Sequence, residues 1–276
     1  MIRLGHIAYS NCYPVHARFL EETPPGIELV RGTPAELNRA LATGEIDVGP
    51  CSSIEYARSG GRYRVLPGLT IASDGPVGSI LLESAQPLER LHERDVFVPT
   101  ASATSVALLR ILLEERLGIT ARLHWFDQAV GAEPFETGAA AALWIGDVAL
   151  DRAGRTGRAF HDLGLLWQQW TALPFAYALW QTRLGPERDD ELRDLHGRLV
   201  DSYEWFRLHS RRLAAQRATT FGQTAEALLA YWQSLHYTLD ARVERGLLRF
   251  FASAARLEEA GPVASLQTTP VAARPA

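Results

Sequence analysis

Lysine is absent from the 276 residues, so every one of the 28 basic residues is arginine. Without lysine there is no Schiff-base amine, no pyridoxal-phosphate anchor and no Walker-type phosphate lysine. Cysteine is scarce as well. Cys12 and Cys51 are too few for a disulfide framework, and no CxxC or HExxH run is present. No window approaches the roughly 18 apolar residues of a membrane-spanning helix. Met1–His6 leads into no basic n-region, apolar h-region or small-residue cleavage site. The formal net charge is −4, and no basic stripe with interleaved aromatics appears. These absences lead to the expectation of a cytoplasmic protein with neither membrane nor nucleic-acid partners.

What is present suits a large α/β core. Hydrophobic residues make up 47% and charged residues 22%, enough for one large domain or two modest lobes. The first half alternates extended and helical patterns, the mark of mainly parallel sheets covered by helices. Strands are expected at 3–9, 27–31, 46–49, 65–72, 78–84, 95–99, 122–126, 141–145 and 174–182. Helices are expected at 14–22, 34–43, 54–59 and 105–117, with Gly44 and Gly118 as stops. From Pro186 the chain reads as helical: 192–217, 224–235 and 240–260. From Gly261 it is rich in Pro, Ala and Thr and is expected to be loose.

Ligands of open α/β sheets bind beyond the carboxyl ends of the strands. That rule selects Tyr9-Ser10-Asn11-Cys12, Cys51-Ser52-Ser53, Ser102-Ala103-Thr104-Ser105 and Gly146-Asp147, with Ser79 beside them. Two of these turns open helices, whose free N–H groups hold carboxylates without lysine. Ser52 and Ser53 on one side and Thr104 and Ser105 on the other would form two facing anion sockets.

Plainer readings stand beside these. Ser52-x-x-Glu55 matches a capping box, Thr104 or Ser105 reads as an N-cap, and Asp147 reads as the cap of the helix after Ile145. Asn11 is equally a turn residue. Cys12 and His16, four apart, have the spacing of a thiol–imidazole pair or of metal ligands, but no third ligand is close in sequence. Trp205 and Trp232 sit at helical spacing and read as core.

Gly5-His6-Ile7-Ala8-Tyr9-Ser10-Asn11-Cys12-Tyr13-Pro14 resembles the chorismate dehydratases of the futalosine route to menaquinone. Further matches are Gly44–Gly49 with Ser52–Tyr56, Val77–Leu82, Thr104-Ser105, Ile145–Leu150, Asp162-Leu163-Gly164 with Trp167, Leu173–Ala176 and Trp180. Their order over residues 3–255 carries the resemblance. One departure is Thr171-Ala172-Leu173-Pro174, where glycine is expected second. The resemblance implies a two-lobed fold of the periplasmic-binding-protein type II class. Residues 1–84 and 180–276 would form the first lobe and 85–179 the second, with a ligand cleft between them. It also implies loss of water from chorismate to give 3-[(1-carboxyvinyl)oxy]benzoate, with no metal or organic cofactor. Asn11 and Ser79 would be catalytic. Tyr9, Ser10, Ser52, Ser53, Thr104, Ser105, Gly146 and Asp147 would bind substrate. Two other readings share the fold: the 1,4-dihydroxy-6-naphthoate synthase of the same pathway and a non-catalytic binder of small anions.

Overall fold

The structure, a computed structural model describing residues 1–131 and 133–271, begins with the expected alternation. β1 (Ile2–Ile7), α1 (Tyr13–Glu21), β2 (Ile27–Gly32), α2 (Pro34–Thr43), β3 (Val48–Ser52), α3 (Ser53–Arg58) and β4 (Arg64–Ser73) follow in turn. The bounds of α2 have local causes. Thr33 and Glu36 form a reciprocal capping box, Pro34 takes the first turn, and Gly44 ends the helix at φ 81°. β3 starts two residues later than its apolar run suggests, because Ile46 turns inward. Its Cδ1 fills the space where Gly5 and Gly49 lack a Cβ.

The chain then enters a second sheet. β5 (Ile80–Ser84), β6 (Asp95–Pro99), α4 (Ala103–Ile111), β7 (Arg122–Phe126), β8 (Ala141–Ile145), α5 (Gly146–Arg152), β9 (Ala159–Asp162) and α6 (Leu163–Thr171) build it. β10 (Phe175–Thr182) returns to the first sheet, followed by α7 (Asp189–Arg217), α8 (Ala225–Ser234), the short β11 (Leu235–His236) and α9 (Ala241–Arg256). The sheet orders are β11-β4-β10-β3-β1-β2 and β7-β6-β8-β5-β9. Within them β10 runs antiparallel to β3 and β4, and β5 antiparallel to β8 and β9. The chain therefore passes between two mixed sheets twice, with a helical C-terminus, as expected.

The crossings fall earlier than expected. β5 lies wholly in the second sheet and β10 wholly in the first, so hydrogen bonding puts the exchanges in the turns after Ser73 and after Thr171, not at 84 and 180. The helical run of α4 continues to Leu117 as expected, with Leu112–Arg116 widened into a π turn. β9, α6 and β11 were not expected. The tail to Val271 is tied down. Thr268 bridges Val65, Val65 and Gln267 share a backbone hydrogen bond of 2.8 Å, and the Gln267 N–H donates to the Tyr56 hydroxyl.

Candidate active site

Where the two sheets face each other, a narrow cleft is lined by Tyr9, Asn11, Ser52, Thr104, Ser105, Gly146 and Tyr177, with Ile7, Ile71, Ile80 and Ile145 as apolar walls. It lies at the strand ends selected from the sequence. No histidine, cysteine or carboxylate is among its lining residues. The cleft wall is mainly apolar; its polar side chains are hydroxyls and the Asn11 amide, and its titratable side chains are Tyr9 and Tyr177.

The turn after β1 supplies Asn11, and two aromatic residues from the C-terminal part hold that turn. Trp232 Nε1 donates to the Ser10 carbonyl at 2.8 Å, and the Tyr237 hydroxyl donates to the Asn11 carbonyl at 2.9 Å. The Tyr231 hydroxyl donates to Ser79 Oγ at 2.7 Å. Asn11 Oδ1 is buried and has no hydrogen-bond partner. Such an atom is costly unless a ligand meets it. Asn11 is both a turn residue and a lining residue of the cleft, while Ser79, at 1% exposure, is not among the lining residues. Trp232 is core as expected, but Trp205 is only half buried and stacks on His209. Helical spacing could not reveal that buried aromatics also brace the turn.

Asp147 is not a helix cap. Ile145 is the N-cap residue of α5, and the Asp147 carboxylate instead accepts from the Ser10 backbone N–H (3.1 Å) and from the Ser10 hydroxyl. These bonds join the first lobe to the second. Burial raises the Asp147 pKa above the usual carboxylate range, opposed by the Ser10 bonds. Gly146 has φ +61°, and a Cβ on it would stand 2.8 Å from the Tyr9 ring, so the ring packs where only glycine fits. Burial pushes the Tyr9 phenol up to about 12, with Asp147 adding to the shift. Gln128, which sequence reasoning missed, braces the β8 end by exchanging two hydrogen bonds with the Ile145 backbone.

The two expected anion sockets meet each other. Thr104 Oγ1 accepts from the Ile54 N–H at 3.2 Å. Ser53 Oγ donates to the Ala176 carbonyl at 2.8 Å, so its 3.4 Å contact with Thr104 runs from the threonine hydroxyl. Ser53 is fully buried and faces away from the cleft. Ser52 lines the cleft but makes no capping bond; its N–H goes to Asn38 Oδ1 at 2.9 Å, so the Ser52–Glu55 pattern is not a capping box. Neither Thr104 nor Ser105 caps α4. That role belongs to Ser102, whose Oγ accepts from the Ser105 N–H and donates to Ser105 Oγ.

Behind the turn, Cys12 and His16 do acquire a third group: His6 on β1, with all three buried. Hydrogen bonding accounts for them. Trp180 Nε1 donates to His16 Nε2 at 3.1 Å, so the neutral His16 ring carries its proton on Nδ1 and donates it to His6 Nδ1 at 3.0 Å. Cys12 Sγ lies 3.6 Å from the same nitrogen. Burial lowers the His6 pKa to about 4, holds that of His16 well below the usual histidine value and pushes the Cys12 thiol up to about 12. The cluster is a neutral brace under the Asn11 turn.

Known proteins extend this picture. The family described as menaquinone biosynthesis matches residues 2–256. A chorismate dehydratase of Thermus thermophilus is 34% identical over 196 residues, 65% of this chain and 69% of that protein. A chorismate dehydratase of Campylobacter jejuni is 29% identical over 180 residues, 63% of this chain and 64% of that protein. Among solved structures, an Archaeoglobus fulgidus protein aligns with TM-score 0.68 at 19% identity, covering 93% of this chain and 97% of its own. The periplasmic aliphatic sulphonate binding protein of Escherichia coli aligns with TM-score 0.66 at 14% identity, covering 100% and 96%. At such identities these two likenesses show the fold: two-lobed and periplasmic-binding-protein-like.

Proposed function

The chain belongs to the menaquinone-biosynthesis family, and on that premise we propose that it is a hydro-lyase that removes water from chorismate to give 3-[(1-carboxyvinyl)oxy]benzoate. The relatives' activity supports this reading. So does the cleft, whose lining residue Asn11 has a buried side-chain oxygen, Oδ1, without a partner. The place in metabolism would be the entry to the futalosine route, and the compartment the cytoplasm.

The reaction asks little of a protein in acid–base terms. A proton leaves C3 and hydroxide leaves C4; together they are water, and the ring becomes aromatic without any oxidant or reductant. What the protein supplies is a held conformer, with positioning worth on the order of 7–11 kcal/mol in favourable cases. Because the lining has no histidine or carboxylate, the base in this reading is the substrate's own enolpyruvyl carboxylate, which takes the C3 proton. Asn11 orients the reacting region, Ser79 supports it from behind, and Ser52, Thr104 and Ser105 offer hydroxyl donors to the ring carboxylate. Tyr9 and Gly146 form the wall. Ser10 and Asp147 fasten the lobes, excluding water during aromatisation. Ser53 acts only through Thr104.

The test is direct. Purified, metal-stripped protein mixed with chorismate should generate 3-[(1-carboxyvinyl)oxy]benzoate catalytically, followed by chromatography and proton NMR. Decay of chorismate at its background rate would sink the reading and turn attention to the naphthoate synthase substrate and to simple anion binding.

A further inference from the structure

Residues 74–79 carry the chain from β4 in the first sheet to β5 in the second. They belong to no strand or helix, so their backbone needs partners from elsewhere. The Asp162 carboxylate, at the end of β9, takes two of their N–H groups. Oδ1 accepts from Val77 at 3.1 Å and Oδ2 from Gly78 at 2.7 Å. Oδ1 also accepts from the Leu165 N–H at 3.0 Å, which caps α6. The bond to Gly78 is short and charge-assisted. The held segment leads into the cleft: the Ser79 carbonyl accepts from the Gly146 N–H at 2.8 Å, and Gly146 and Ile80 are both lining residues. Gly164, two residues beyond Asp162, makes room on the other side. A Cβ there would stand 2.5 Å from the Tyr177 hydroxyl, 2.6 Å from the Gly75 carbonyl oxygen and 2.8 Å from Ser73 Oγ. Those groups form a chain. Ser73 Oγ donates to the Gly75 carbonyl at 3.0 Å, so the Tyr177 hydroxyl donates to Ser73 Oγ, also at 3.0 Å. Tyr177 lines the cleft from β10.

We infer that Asp162 is a positioning residue for the reaction: by gripping the Val77 and Gly78 N–H groups it fixes the crossing, and with it the Ile80 and Gly146 wall of the cleft. This rests on the proposed dehydration and adds to it a residue that touches no substrate. Asp162-Leu163-Gly164, one of the runs that carry the family resemblance, is then a single device. The carboxylate grips the crossing, and the glycine lets α6 come close to Ser73, Gly75 and Tyr177. Capping alone does not call for aspartate, because serine and asparagine cap a helix as well. The second oxygen is what calls for it. A carboxylate has two acceptor oxygens, so it serves Gly78 while still serving Val77 and Leu165. A reacting group misplaced by about 1 Å by a change far from the chemistry loses on the order of 100-fold in rate.

The experiment separates the cap from the grip. Asp162→Asn keeps Oδ1 for Val77 and Leu165 but turns an NH₂ toward the Gly78 N–H. Asp162→Ser keeps the cap and is too short to reach Val77 or Gly78. Asp162→Ala removes both. Wild type and the three variants are compared by steady-state kinetics with chorismate, by thermal midpoint and by the Gly78 backbone amide resonance in NMR. The midpoint should follow the cap, with Asp162→Asn and Asp162→Ser above Asp162→Ala. The rate should follow the grip: kcat should fall roughly 10- to 100-fold in all three, with KM changed much less. The Gly78 resonance should move upfield in all three, as its carboxylate partner is lost. Wild-type kcat in Asp162→Ser would reduce Asp162 to a helix cap. A kcat that ranks with the midpoint would make its role purely structural, and an unmoved Gly78 resonance would show that there is no grip. Each of these overturns the inference. If wild type itself does not dehydrate chorismate, the proposed activity falls and this role with it, while the Gly78 resonance still decides whether the carboxylate holds the crossing.

Discussion

Ser10 and Asp147, 137 residues apart, join the two lobes: the Ser10 backbone N–H and hydroxyl both donate to the one carboxylate. The carboxylate is buried and carries a raised pKa. The link therefore favours closure while the charge itself burdens the fold.

That tension gives a prediction with opposite signs. A carboxyl whose folded pKa is raised contributes most below its unfolded pKa, and that contribution is lost as pH rises through the folded value. Asp147→Asn removes the buried charge, so its thermal midpoint at neutral pH should equal or exceed that of wild type. Its kcat/KM should fall by about tenfold, the loss of one charge-assisted hydrogen bond. Calorimetry and steady-state kinetics on the same preparation check both halves. A lower midpoint with unchanged kinetics would contradict the role.

Thr104→Val strips the Ile54 N–H of its acceptor and Ser53 Oγ of its donor. Leaving a buried N–H unpaired costs about 1–3 kcal/mol. The closed form bears the cost, so product binding should weaken by roughly 5- to 150-fold. Titration calorimetry measures it, and unchanged affinity would show that this contact does not stabilise closure.

Gly146→Ala should be harmful on two counts. Its φ of +61° is in the left-handed region, and a Cβ would meet the Tyr9 ring at 2.8 Å. The backbone part alone costs roughly 1–2 kcal/mol. A urea midpoint no lower than that of wild type would refute the packing argument.

The His6–His16 brace predicts acid sensitivity. Both rings have folded pKa values below the usual histidine range. Such groups contribute fully above the unfolded pKa, and the contribution fades as pH falls toward the folded one. For His6 the window runs from 6.5 to about 4, worth on the order of 3 kcal/mol when fully traversed. Urea midpoints at pH 7.5, 6 and 5 should decline, and His16→Gln should flatten the slope. A slope identical in wild type and variant would remove the pair from the acid response.

Much of this was legible in the sequence where a local cause acts. The bounds of α2 follow from Thr33, Pro34, Glu36 and Gly44, and the strand-end rule selected Asn11, Ser52, Thr104 and Gly146, which do line one cleft. The rest depends on distant partners. Strand direction is not written into β5 or β10, so their patterns do not say which sheet each joins. β9 is four residues, none of them buried, too short for a pattern. Asp147 and Ser52 look like caps because capping and tertiary bonding use the same side chains; only the fold shows that Asp147 reaches Ser10. Tyr231 obeys helical periodicity and so reads as core, which it is, while its hydroxyl does something periodicity cannot encode. The tail resembles a loose end by composition, yet Val65 offers it a free backbone edge.

The place of β10 between β3 and β4 bears on how the chain matures during synthesis. All five strands of the second sheet lie between residues 80 and 162, so that lobe is covalently complete while the first still lacks its central strand. Until residues 175–182 emerge, β3 and β4 have no strand to link them, and Trp180 cannot reach His16. The middle of the chain can therefore assemble before its beginning, reversing the usual N-to-C order of domain folding. The nascent N-terminal third stays dependent on whatever shields an unfinished sheet edge.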